Sequence, residues 1–178
     1  MPKYIYLYGP DGSGKTAVAL EIKKLFPNTT LVPFEPYRLD KRDFDSGYNG
    51  ENSASNSTTN SLLKSYLLFF RYIINDVFFK IKNIISNKDY IIYTRGILEF
   101  GINNANKKFP SYLSKFYQSI FQRNSILIIS PAESIVKRKN ELKLSDIVDL
   151  YMKYLSCNIK KVENISTLNN CACQVIKR

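Results

Sequence analysis

The sequence contains no histidine and only three cysteines. Without histidine there can be no imidazole general base, no Ser-His or Cys-His nucleophile pair, and no imidazole ligand for a transition metal. The cysteines are Cys157, Cys171 and Cys173, an odd number with the last two separated by a single residue. We therefore expect reduced thiols rather than a disulfide framework. Chemistry in this chain must come from cations, carboxylates, hydroxyls and backbone amides.

Long uncharged apolar runs are also lacking. The most apolar region, Leu62 to Ile85, is interrupted by lysine, arginine and aspartate, so it predicts a long helix of a soluble protein rather than a membrane span. The N-terminus opens with Met1-Pro2-Lys3 and a short strand-like run, without the apolar core of a signal peptide. These features predict a cytoplasmic protein with no membrane span.

Acidic residues are few compared with basic ones. The chain has 15 Asp and Glu against 26 Lys and Arg, a net charge of +11. This excess favours anionic partners such as nucleotide phosphates, nucleic acid or a sugar acid. The basic residues are scattered rather than interleaved with aromatics in one motif, which makes nucleic acid an unlikely partner.

Length and periodicity predict a single α/β domain over residues 1–178. Residues 43–60 are rich in Ser, Asn, Thr and Gly and predict a polar, mobile loop. About five short apolar segments alternate with helical patterns, which predicts a parallel sheet covered by helices on both faces. The predicted strands are Tyr4–Tyr8, Thr30–Pro33, Tyr90–Tyr93, Ser125–Ile129 and 161–164. The predicted helices are Lys15–Leu25, Ser61–Ser86, Tyr112–Phe121, a segment ending near Lys139, Ser145–Leu155 and Leu168–Ile176.

A phosphate-binding loop follows the first predicted strand and opens the first predicted helix. Its glycines fall where the backbone must turn tightly, so that several N–H groups converge on phosphate oxygens at a helix N-terminus. Lys15 would reach the β and γ phosphates of ATP, and the Thr16 hydroxyl would bind Mg²⁺. The nucleotide-binding residues are predicted to be Gly9, Asp11, Gly12, Ser13, Gly14, Lys15 and Thr16. The strand, loop and helix together predict a three-layer P-loop NTPase fold.

The sequence resembles the thymidylate kinase family, and within it the thymidylate kinase-like proteins of bacterial polysaccharide gene clusters. The resemblance covers most of the chain. Besides the loop and the long helix, it rests on Phe34-Glu35-Pro36, Tyr93-Thr94-Arg95-Gly96, and Pro131-Ala132-Glu133 followed by Arg138-Lys139.

The resemblance implies phosphoryl transfer from ATP, with Mg²⁺, to a small-molecule phosphate acceptor, a nucleoside monophosphate. It implies that Asp11 contacts the sugar of the acceptor, that Arg95 clamps the acceptor phosphate, and that Arg138 belongs to a closing lid. Lys15, Arg95 and Arg138 are thus the candidate catalytic residues. Asp11 and Arg138 also have structural alternatives: Asp11 could serve only to stabilise the helix N-terminus, and Arg138 could belong to a solvated basic face.

Weaker candidates for acceptor binding are Glu35, Arg38 and Arg71, with surface roles as the alternative. A second copy of the chain is a further candidate partner.

The pattern departs from the family at Thr94, where the family has an aspartate beside the arginine. Either Glu35 or Glu99 supplies the missing carboxylate, or turnover is slow or absent. Three functions stay open on the sequence alone: a nucleoside monophosphate kinase, a kinase acting on a glycan precursor, and a nucleotide-binding protein with weakened catalysis.

Overall fold

The computed structural model describes residues 1–32, 62–85, 87–104, 111–138, 143–157, 159–163 and 167–177. They form five strands and seven helices. In chain order these are β1 (Lys3–Tyr8), α1 (Lys15–Leu25), β2 (Thr29–Val32), α2 (Leu62–Ile84), β3 (Tyr90–Tyr93), α3 (Ile97–Asn104), α4 (Ser111–Phe121), β4 (Ser125–Ile129), α5 (Ala132–Arg138), α6 (Leu144–Leu155), β5 (Lys160–Glu163) and α7 (Leu168–Lys177).

All five strands are parallel and lie in the order β2-β3-β1-β4-β5. The central strand β1 pairs with β3 on one side and β4 on the other, with Tyr6 opposite both Tyr93 and Ser125. The connection after β1 crosses to β2 at one edge of the sheet, whereas the connection after β4 crosses to β5 at the other edge. Open α/β sheets bind ligands at the carboxyl ends of two adjacent strands whose connections run to opposite sides, here β1 and β4. The predicted five-stranded parallel sheet is confirmed.

Both faces of the sheet are buried, which explains why its central strands are almost continuously apolar. Side chains of alternate residues point to opposite faces. Ile5 and Leu7 pack with α1 and α7, whereas Tyr6 and Tyr8 pack on the side of α2, α3 and α6. A third cluster, which includes Tyr72, joins α2, α3 and α4. These layers pack around β1 up to its carboxyl end, where the glycine loop begins.

One helix of the structure, α3, was not predicted from the sequence. Helix α3 begins two residues after Arg95, is eight residues long, and packs against α4. Its short length and an internal glycine, Gly101, give it a weak helical signal. The stability of α3 comes from packing, since Leu98 and Phe100 are buried.

Helix α2 packs against both the sheet and neighbouring helices, as expected for a helix that is apolar on most of its faces. Its Phe79 ring contacts Tyr93 of β3, and its other buried side chains pack with α3 and α4. Phe69 and Tyr72 are buried, but one apolar face remains uncovered among the described residues. The six side chains of this face, which we name the α2 stripe, are each more than half exposed: Leu63, Leu67, Phe70, Ile74, Phe78 and Ile81.

No helix in the described part of the chain is long and apolar enough to cross a membrane. Cys157, Cys171 and Cys173 are all free thiols, as predicted.

Candidate functional site

The loop between β1 and α1 has the backbone conformation that its glycines predict. Gly9, Gly12 and Gly14 have φ angles of 142°, 88° and 92°, a region that residues with a side chain rarely adopt. At Gly9 space is also restricted, because a Cβ atom would lie 2.7 Å from Ser13 Oγ and 2.8 Å from the carbonyl oxygen of Ile128. A side chain at position 9 would therefore force the loop away from the adjacent strand.

Lys15 lies inside this loop rather than in solvent. Its side chain is only 7% exposed, and Nζ donates hydrogen bonds to the carbonyl oxygens of Gly9 at 2.5 Å and Pro10 at 3.0 Å. Burial lowers the pKa of this amine, although the negative charges of Glu99 and Asp11 oppose the shift. The two carbonyls hold the ammonium group in the concavity that would receive phosphate.

Arg95 lies beside the loop, two residues beyond the end of β3. Its Nη2 atom is 3.1 Å from Asp11 Oδ1, and its Nε atom is 3.8 Å from Glu99 Oε1. Asp11 Oδ1 is also 3.7 Å from Lys15 Nζ. The four side chains therefore form one network, in which Asp11 links the two cations and Glu99 approaches from the first turn of α3.

Arg138 and Ser130 reach the loop from the direction of β4. Arg138, the last residue of α5, donates from Nη1 to the carbonyl oxygen of Gly12 at 3.1 Å. Ser130, directly after β4, donates from Oγ to the carbonyl oxygen of Ser13 at 2.7 Å. Three cations, Lys15, Arg95 and Arg138, thus converge on a single loop.

A network of buried polar side chains fixes the start of α3 next to β1. Gln122 Oε1 accepts hydrogen bonds from the Tyr8 hydroxyl at 2.6 Å and from the backbone N–H of Ile97 at 3.3 Å. Gly96 allows this approach, because a Cβ atom there would lie 1.9 Å from the Tyr8 hydroxyl oxygen. This packing determines the position from which Arg95 and Glu99 extend.

The remaining predicted site residues differ in their placement. Thr16 is exposed in the first turn of α1, beside Lys15. Arg71 is exposed on α2, and no contact joins it to the loop among the described residues. Glu35, Arg38 and the 43–60 segment lie outside the described residues.

The contacts of Ser130 and Gln122 with the site were not predicted from the sequence. Ser130 could have been found from its place directly after the clearest buried strand. Gln122 gives no comparable signal, because its role depends on packing between residues more than a hundred positions apart.

Magnesium is the metal that this kind of loop would bind, through oxygen ligands and phosphates rather than a protein-only cage. The described residues contain no group of three or more acidic residues, cysteines or histidines that could hold a metal by themselves. They do offer the Thr16 hydroxyl and a buried carboxylate oxygen of Glu99 that has no hydrogen-bond partner in the described part of the chain. The donors present therefore fit a magnesium ion that is also held by nucleotide phosphates.

Comparison with solved structures identifies the fold. Thymidylate kinase from Candida albicans superposes with a TM-score of 0.64 at 13% sequence identity, covering 99% of this chain and 90% of that one. The fold is that of the thymidylate kinases. Neither a family sequence model nor a curated protein sequence matches the chain. The likeness therefore lies in the three-dimensional structure and in the motifs described above.

Two further structures share this thymidylate kinase-like P-loop fold. The tunicamycin resistance protein of Deinococcus radiodurans matches with a TM-score of 0.56 at 11% identity, covering 99% of this chain and 95% of that one. The YorR protein of Bacillus subtilis, solved in complex with phosphorylated GDP, matches with a TM-score of 0.56 at 16% identity, covering 98% and 94%. At these identities the comparisons establish the fold alone.

Proposed function

We propose that this protein is an ATP-dependent kinase that transfers a phosphoryl group to a nucleoside monophosphate. The observation that carries the proposal is the convergence of Lys15, Arg95 and Arg138 on a glycine loop at the carboxyl end of β1. Phosphoryl transfer depends mainly on positioning and on positive charge around the transferred group, and it requires no histidine base. The chain would act as a single domain in the cytoplasm.

Each side chain of the site has a distinct part in this proposal. When ATP binds, Lys15 gives up its hydrogen bonds to the two loop carbonyl oxygens and donates to β- and γ-phosphate oxygens instead. Arg95, held by Asp11, turns towards the acceptor phosphate, and Asp11 contacts the acceptor's sugar hydroxyl. In the reaction an oxygen of the acceptor phosphate bonds to the γ-phosphorus while the bond to ADP breaks. Arg138 stabilises the negative charge on the phosphoryl group during its transfer.

Two alternatives have specific support. The fold is shared with a protein of a different named role, a tunicamycin resistance protein, and this keeps a glycan precursor as the alternative acceptor. Thr94, which is 7% exposed at the end of β3, offers no negative charge for a metal, and this favours weakened catalysis. In the second case the protein would bind ATP without efficient transfer.

A panel of acceptors tests the proposed function. With Mg²⁺ and ATP, we expect ADP release that depends on at least one nucleoside monophosphate, with sugars at least about tenfold slower, because Arg95 binds phosphate as a bidentate partner. Transfer to sugars alone would assign the protein to the glycan alternative. ATP binding in calorimetry without any transfer would assign it to the weakened class.

We also propose that the protein is a homodimer through the α2 stripe. Its six residues follow one another at intervals of three or four, the spacing by which one helix packs along another. Aromatic side chains bury about 150–250 Å² each. The two Phe and the four Leu and Ile side chains of the stripe, each more than half exposed, together offer several hundred Å², on the order of the roughly 800 Å² per partner of a standard-size interface. The stripe contains no charged residue, so a second copy can cover it without burying an unpaired charge.

Sedimentation equilibrium at micromolar concentration tests this proposal. We expect twice the monomer mass of 20.6 kDa for the wild type. Leu67→Glu combined with Ile74→Glu should give a monomer, because two pairs of carboxylates would face each other across the two-fold axis. Met152→Glu, at an exposed apolar residue of α6, is the matched control and should remain dimeric. A monomeric wild type would contradict the proposal and would indicate that another part of the chain covers the stripe.

A further inference from the structure

Glu99 is a buried carboxylate at the edge of the candidate site. Its side chain is 13% exposed, and its Oε1 atom lies 3.8 Å from Arg95 Nε. Its second oxygen, Oε2, is buried and has no hydrogen-bond partner among the described residues. A buried acceptor without a partner is costly, so such an atom in a binding site indicates a donor that arrives with the ligand.

The charges around Glu99 indicate what kind of donor this is. In the structure Lys15 and Arg95 are the cations that act on Glu99 and oppose the effect of burial, which raises the pKa of its carboxyl group. When a nucleotide and an acceptor bind, both cations turn to phosphate oxygens. Glu99 would then be a carboxylate next to several anionic oxygens, an arrangement that is unfavourable unless another cation lies between them.

We infer that Glu99 accepts hydrogen bonds from the waters of the magnesium ion and so provides the carboxylate that is absent at Thr94. This inference rests on the proposed nucleotide binding. Thr94 directly follows β3 and Glu99 lies in the first turn of the next helix, so both positions lie on the segment that leads from the carboxyl end of β3 into α3. Magnesium usually keeps several waters and is held by one or two carboxylates together with phosphates, which suits a carboxylate acting through water.

A purely structural role is the competing explanation. Glu99 lies at the N-terminus of α3, where an acidic side chain is favoured by the helix dipole, and it contacts Arg95. A residue that only stabilises α3 or orients Arg95 affects ATP binding equally with and without metal. A carboxylate that holds metal-bound water strengthens ATP binding only when magnesium is present.

Calorimetric titration of ATP into Glu99→Gln separates the two roles. With Mg²⁺ we expect affinity to fall about 10- to 100-fold, the usual effect of losing a group that supports a metal from outside its direct ligands. With EDTA we expect affinity equal to or higher than that of the wild type, because a negative charge has been removed from beside the phosphates. Glu21→Gln, on α1 and paired with Lys24, is the matched control and should change neither value.

A rescue variant completes the test. Thr94→Asp in the Glu99→Gln background should restore most of the Mg²⁺-dependent affinity, whereas Thr94→Asn should not, and thermal melting checks that each variant is folded. Equal losses of ATP affinity with and without Mg²⁺, or no loss under either condition, would overturn the proposed role of Glu99. The proposed binding of ATP would still stand. Failure of the wild type to bind ATP under both conditions would overturn the proposed function together with this inference.

Discussion

Lys15→Ala is expected to reduce ATP-dependent transfer by at least about 100-fold, the scale on which removal of one charge-stabilising donor acts. The Lys15 ammonium is held within the loop by the carbonyl oxygens of Gly9 and Pro10, at the point where the proposed nucleotide phosphates bind. No other described cation occupies the interior of the loop, so neither Arg95 nor Arg138 can replace it without moving the backbone.

Loss of activity in this variant should not come from loss of the fold. Lys15 contacts the loop and Asp11, whereas the apolar packing of α1 on the sheet uses Val18, Ala19 and Ile22. We expect a melting temperature within a few degrees of the wild type, measured by circular dichroism alongside steady-state kinetics. Lys24→Ala, on the exposed side of α1, is the control. A folded Lys15→Ala protein with wild-type turnover would contradict the assignment of the loop.

The parts of the fold that the sequence could predict are those with local signals. The central strand β1 ends directly before Gly9, and β4 is apolar at every position after its first residue, so both strands were predicted to within one residue. The loop was predicted because its function requires glycines and a lysine at fixed spacing. In each case the information lies within a few consecutive residues.

The parts that could not be predicted depend on long-range packing. Whether Glu99 lies near Lys15 depends on where α3 begins, and that is set by Gln122 and Tyr8 from distant parts of the chain. Glu99 was a candidate for the missing carboxylate together with Glu35, and the spacing alone could not separate them. The exposed stripe of α2 was missed for a related reason, since an apolar residue such as Ile74 gives the same pattern whether a partner covers it or not.

Arg95 and Arg138 should affect different steps of the reaction. Arg95 follows β3 and is held by Asp11 and Glu99, so its guanidinium is already oriented before any ligand binds. Arg138 is exposed at the end of α5, and its hydrogen bond in the described part of the chain is to the Gly12 carbonyl oxygen. The first arrangement suits an acceptor clamp and the second suits a group that moves onto the transferred phosphoryl.

Their alanine variants should therefore give different kinetic signatures. An interaction made equally in the ground and transition states raises KM when removed, whereas one made only in the transition state lowers kcat and kcat/KM together. We expect Arg95→Ala mainly to raise the KM for the acceptor, and Arg138→Ala mainly to lower kcat, by as much as ~10³ since an arginine can supply that much transition-state stabilisation. Arg123→Ala, in the turn between α4 and β4, serves as the control for a general loss of positive charge. Wild-type kcat for Arg138→Ala at saturating ATP and acceptor would instead identify Arg138 as part of a solvated basic surface that happens to contact the loop.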